Sequence, residues 1–213
     1  MGIQRIVCRV GLVVSLVPLL AVSPRMPEAN PEPVPSHEYV IYDHVVNVKF
    51  LTSKTRLVLI QRQTVTRLEP DEQRPLSLRY FGERRLFGGQ LSRDLLTDFV
   101  IKNGTPSRLD RRFGFGVRYR FVSPGGLEEP EVSLAPIPAR LRAPPQADEP
   151  LETIGILAFT RVGFSASGDQ ALVYVEENRA NATGAGFLIR LMRGARGWDV
   201  IDTEVLWVAR PDG

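Results

Sequence analysis

The chain is poor in several chemically useful residues. It has one cysteine, Cys8, two histidines, His37 and His44, and three lysines among 213 residues. Cys8 lies within an N-terminal segment that reads as a leader. Without that segment the chain has no disulfide, no thiolate metal site and no cysteine nucleophile. A cysteine-free domain is compatible with an oxidising compartment but does not demonstrate one. Charge of one sign is scarce too. The formal net charge is +3, and loss of Arg5 and Arg9 with the leader leaves about +1. Such a balance gives no electrostatic ground for nucleic acid or an anionic membrane as partner. Glycine is present without the phosphate-binding patterns. Gly114-Phe115-Gly116 and Gly184-Ala185-Gly186 match neither a dinucleotide fingerprint nor a P-loop. No G-x-S-x-G nucleophile elbow occurs. These features predict no cofactor and no metal.

The remaining composition is that of a chain with a core: 43% hydrophobic and 24% charged. Arg5 and Arg9 precede an apolar run from Val10 to Val22, with small residues at Ala21 and Ser23. A short positive region and an apolar stretch of roughly 7–15 residues make a secretory signal. The run falls short of the ~20 residues that span a bilayer. Residues 1–23 therefore read as a signal segment, and the chain as exported, periplasmic or secreted. The alternative is a protein tethered to the membrane by an uncleaved N-terminal anchor. Residues 24–36, with five prolines, read as an extended, solvated linker. Residues 123–150, with seven, read as a long surface loop. This loop divides one domain into a helix-containing half, 37–122, and a strand-rich half, 151–210.

Ile41, Val45 and Val48 recur at helical spacing, so 38–51 is read as a helix, with Ser36 as its cap. Residues 56–66 alternate as a strand that leaves a core. The clearest helix is 92–103. Leu91, Leu95, Leu96, Phe99 and Val100 form its apolar face, Ser92 is the candidate cap, and Asn103-Gly104 the stop. Residues 153–164, 170–177, 186–193 and 198–208 read as four strands joined by short turns, an antiparallel meander. The predicted fold is α+β and two-layered: an antiparallel sheet of about four to five strands, packed with one or two helices.

Arg161-Val162-Gly163-Phe164, then Gln170 to Val175 (QALVYV), then a Gly-Trp and a final Leu-Trp-Val resemble segments of a family of uncharacterised secreted bacterial proteins. The stretches Tyr39–Phe50, Leu57–Thr64 and Asp98–Asn103 add to the resemblance. It implies export and a shared fold, and no activity. Members often carry two cysteines in the loop after QALVYV. Here that loop, Glu176 to Gly186, has none.

Arg161 and Gln170 flank one predicted turn. With Gln63 and Thr64 they are candidates for a polar binding pocket. The plainer reading pairs Arg161 with a carboxylate and starts a strand at Gln170. Arg118 and Arg120 share one strand face beside Arg111 and Arg112, a second candidate binding surface. His44 follows Asp43, but neighbours in sequence do not face each other on a helix, so His44 reads as a solvent-facing helix residue. No convergent nucleophile, base and orienting group is found. The expectation is a non-enzymatic extracytoplasmic binding or interaction module. Its partner would be an envelope protein or cell-surface component, with membrane contact only through an uncleaved signal segment. A cell-envelope hydrolase with an unrecognised site is the alternative.

Overall fold

A computed structural model describes residues 30–123, 153–179 and 183–210. The signal segment and nearly all of the Pro-rich loop at 123–150 lie outside the described residues. Residues from Pro31 onward belong to one unit.

Among the described residues, seven strands form a single mixed sheet: β1 Leu57–Gln61, β2 Arg118–Val122, β3 Thr153–Phe159, β4 Gly163–Phe164, β5 Gln170–Asn178, β6 Gly184–Gly194 and β7 Gly197–Ala209. The order is β2-β1-β3-β5-β6-β7, with β4 also pairing β5. The C-terminal part is the antiparallel meander that the turn spacing predicts. The sheet is larger than the expected four to five strands and only partly antiparallel, because β1 lies parallel to both β2 and β3. Short turns advertise antiparallel neighbours. Parallel pairing needs a long crossover and leaves no local signal.

Among the described residues, three α-helices pack on the sheet: α1 Tyr39–Val45, α2 Leu78–Arg84 and α3 Arg93–Lys102. A short 3₁₀ turn, Ser36–Glu38, leads into α1, and a π turn, Val46–Phe50, extends it. Ser36 thus lies inside the helical segment rather than capping it. The two-layer expectation also needs correction, since helices cover both faces. Strand β5 makes this clear. Ala171, Val173 and Val175 point to the face covered by Tyr39, Ile41, Tyr42, Val45 and Phe50. Leu172 and Tyr174 point to the opposite face, covered by Phe81, Leu95 and Phe99. This alternation is why QALVYV is apolar at nearly every position: a strand buried on both faces has no polar side.

Part of the predicted linker is packed. The Val34 side chain is buried and its N–H donates to the Arg108 carbonyl at 2.9 Å. Helix α2 carries a weaker signal, a single fully buried residue, Phe81. At the far edge, β7 bulges twice against β6 and carries Asp199, Asp202 and Glu204. Bulges and charges of one sign discourage sheets from pairing edge to edge. Among the described residues, no helix is long and apolar enough to cross a membrane.

Candidate functional site

The predicted strand 153–164 is broken in a way that places Arg161. Phe159 pairs with Val175 and Gly163 with Leu172, so this strand has one residue more than its partner between the two pairs. A bulge of this kind turns a side chain out of the alternation. Thr160 maintains the ladder across the gap: its N–H donates to the Tyr174 carbonyl at 3.0 Å and its hydroxyl accepts from the Tyr174 N–H at 2.9 Å.

Arg161 then enters the interior and meets Glu38, which is fully buried. Arg161 Nη2 lies 2.6 Å from Glu38 Oε1, and Nε lies 3.0 and 3.1 Å from the two carboxylate oxygens. The same carboxylate accepts the Val162 N–H at 2.8 Å and the Tyr42 hydroxyl at 3.2 Å. Nη1 donates to Ser107 Oγ at 3.2 Å. Ser107 is in turn tied to Thr64, whose N–H donates to the Ser107 carbonyl and whose Oγ1 accepts the Ser107 N–H, both at 2.8 Å. Asn103, at the end of α3, holds the Arg161 backbone from both sides: Oδ1 accepts its N–H at 2.7 Å and Nδ2 donates to its carbonyl at 3.1 Å. Burial opposes the Arg161 charge, and the Glu38 hydrogen bonds outweigh it, raising the guanidinium above its ordinary value. Burial, reinforced by the Glu38 charge, holds the Tyr42 phenol well above its ordinary value. A buried charge of this kind survives only when paired and hydrogen-bonded throughout.

Arg161 and Thr64 thus belong to one cluster, joined through Ser107, and that cluster is filled by protein groups. Gln63 is half-buried and bridges to Arg108. Gln170 stands apart, accepting from Arg190 Nη2 at 2.9 Å across the β5–β6 pair. Arg118 is exposed and Arg120 half-buried on the edge strand β2. The remaining residues of RVGF are equally structural. Val162 is fully buried, and Gly163 lets α3 sit directly on the strand, since a Cβ there would come within 2.5 Å of the Phe99 Cβ. Phe164 packs against Trp198 and His37.

A surface groove of about 830 Å³ runs between α3 and the segment 164–166. Its carboxylates serve the fold. Asp98 accepts the Phe164 N–H and Asp94 the Ala166 N–H, each at 2.7 Å. Two carboxylates four residues apart on a helix therefore bind alternate N–H groups of a strand edge, where a further strand would otherwise pair. Lys102 closes the stripe, donating to Asp98 at 2.7 Å and to the Val162 carbonyl at 3.2 Å.

A second groove, of about 660 Å³, is different. It lies between α1 with its π turn and the β6–β7 hairpin, and is lined by Val40, His44, Asn47 and residues 195–199. Val40, His44 and Asn47 are spaced i, i+4 and i+7, so they share the helix face opposite the core. Val40 is 57% exposed. The side chains of His44, Arg196, Trp198 and Asp199 make no hydrogen bond or ion pair among the described residues. Sequence reading weighed His44 for chemistry, as a solvent-facing residue, and met Trp198 only within the Gly-Trp segment of the resemblance. The signal available was the spacing of Val40, His44 and Asn47 on the non-core face, but only the tertiary fold brings residues 195–199 against it. Among the described residues, no group of histidines, cysteines and carboxylates could hold a metal ion. No family model, curated protein or solved structure matches the chain.

Proposed function

We propose that the chain is an exported, non-catalytic binding domain that recognises a cell-envelope component through the groove between α1 and the β6–β7 hairpin. One observation carries this reading. The Arg161–Glu38 pair and the α3 carboxylates are consumed by the fold, whereas His44 and Arg196 line this groove without a hydrogen-bond partner among the described residues. The arginine-flanked apolar run from Val10 to Val22 supports export.

The test is co-sedimentation of the protein with insoluble cell-envelope material from the producing cells. The wild-type chain should pellet with the envelope, and H44A/R196A should remain in the supernatant. Equal pelleting of both forms, or of neither, would contradict the proposal. Sequencing the N-terminus of the protein recovered from cells tests export. A mature N-terminus beyond Val22 is expected, and an intact Met1 in a soluble cytoplasmic fraction would overturn it.

A further inference from the structure

A third groove, of about 400 Å³, lies between α2 and the start of α3, on the sheet face opposite α1. It shares no residue with the α1 groove. Leu78 and Gly82 stand one turn apart on α2, and Arg93 and Leu96 one turn apart on α3, so each pair shares a helix face. Leu86 and Leu91 complete the walls. Among the described residues, the lining carries two charged side chains, Arg79 and Arg93, and no side-chain acceptor. Arg79 Nε donates to Glu83 at 2.6 Å, which leaves its terminal N–H groups. The Arg93 side chain is exposed and makes no hydrogen bond or ion pair among the described residues.

Gly82 adds an independent observation. Glycine inside a helix weakens it relative to alanine. The fold does not require glycine here, because a Cβ would meet nothing within 4 Å. The missing side chain keeps the floor of the groove open and brings the helix backbone within reach of whatever enters.

Ligand classes fit this groove unequally. A sugar would bring hydroxyl donors against walls that offer them no side-chain acceptor. A cation would meet two guanidinium groups. A partner helix is about 10–12 Å across with its side chains, so two turns of one have roughly twice the volume of the groove and would rest on its rim. A single alkyl chain with an anionic head meets both halves of the lining. Its methylenes leave water against leucine side chains, and a carboxylate accepts from an arginine fork. The volume falls within the roughly 300–1,000 Å³ of small-ligand sites.

We infer that the α2–α3 groove binds a free fatty acid, its carboxylate held by Arg93 and Arg79 and its chain laid over Gly82 between Leu78 and Leu96.

The experiment is isothermal titration calorimetry of the full chain with octanoate, decanoate and dodecanoate, each below its micelle concentration. Dodecanoate should bind with a Kd on the order of 10–100 μM. Each buried methylene removed should weaken binding about fourfold. Dodecyltrimethylammonium, with the same chain and the opposite charge, should bind at least tenfold more weakly than dodecanoate. R79A/R93A, both exposed, should weaken dodecanoate at least tenfold. G82A should keep binding, whereas G82L fills the floor and should abolish it. Circular dichroism melting confirms that each variant is folded, and R79A/R93A with the chain-length series carries the conclusion if G82L is not. Absence of dodecanoate binding, an affinity independent of chain length, or unchanged affinity in R79A/R93A would overturn the assignment. Binding to phosphatidylglycerol vesicles without binding to dodecanoate would also overturn it, in favour of a membrane surface as the occupant.

Discussion

Removing the Glu38 carboxylate should damage the fold far more than an ordinary charge deletion. In E38A the Arg161 guanidinium loses its contacts at 2.6, 3.0 and 3.1 Å and keeps only Ser107. Its side chain is 10% exposed, so water cannot replace the carboxylate. The Val162 N–H, also buried, loses its acceptor. Breaking a buried pair from one side costs about 3–5 kcal/mol. Near the midpoint, 1 kcal/mol is worth roughly 2–4 °C for a domain of this size, so the melting temperature should fall by roughly 6–20 °C. Removing both charges should cost much less than the two single losses together. In E38Q/R161M the new amide oxygen can still accept from Val162, and Tyr42 keeps its hydrogen bond to the Thr160 carbonyl at 2.9 Å. The coupling between the two positions should be about 2 kcal/mol or more, toward the upper end for contacting residues. Urea titrations of wild type, E38Q, R161M and E38Q/R161M, followed by far-ultraviolet circular dichroism, give the coupling, and E38A gives the one-sided loss. A loss below about 1 kcal/mol in E38A, as for a solvated surface pair, would refute the reasoning.

Other parts of the structure make separate predictions. Arg85 ends α2 at φ 49°, a left-handed conformation that glycine adopts without steric cost, and its side chain is exposed; R85G should raise stability by about 1 kcal/mol in the same titrations, and a loss would contradict this. G163A would drive a methyl group into Phe99 and push α3 off the strand, costing about 1–3 kcal/mol or more, whereas a neutral result would show that α3 does not rest there. All five tyrosines are held above the ordinary phenol value of 10.0, chiefly by burial. The folded state therefore disfavours tyrosinate, and the associated stability is complete below pH 10 and is lost as pH rises above it. Ultraviolet absorbance should show tyrosinate forming together with unfolding; ionisation of most tyrosines near 10 with an unchanged dichroism spectrum would refute this. The Ser92 hydroxyl and then the Ala166 N–H hold the Asp94 carboxyl down at about 2, from 3.8. The stability it supplies is present above pH 3.8 and lost as pH falls toward 2, so D94N should flatten the pH dependence of stability in that window.

How much of this was legible in the sequence depends on whether the signal was local. The meander was readable because each of its strands is bounded by glycine or small polar residues. The α3 boundaries were readable from the leucine spacing, although the Ser92 hydroxyl makes no capping hydrogen bond. Parallel pairing of β1 was not readable, since its partners lie about 60 and 95 residues away in the chain. Helices on both faces were signalled by the unbroken apolar character of Ala171 to Val175, but that run also suits any buried strand. For Arg161, the residue type announced a carboxylate partner and nothing in the spacing named Glu38, which is 123 residues distant. The RVGF and QALVYV segments drew attention as motifs, and their residues prove to serve the core: the ion pair, the close approach of α3 and the two-faced strand. The groove at α1 is assembled from side chains that look unremarkable in sequence, because each is simply a residue the core does not use.

The most direct test of the account is amide and indole chemical-shift mapping of the folded chain titrated with solubilised, delipidated cell-envelope fragments. The account predicts that the shifts concentrate at residues 40–47 and 195–199, with the Trp198 indole N–H among the largest, while the Trp207 indole, bonded to the Tyr174 hydroxyl at 2.6 Å, stays still. Shifts centred on β2 or on the α3 groove, with the Trp198 indole unmoved, would contradict it.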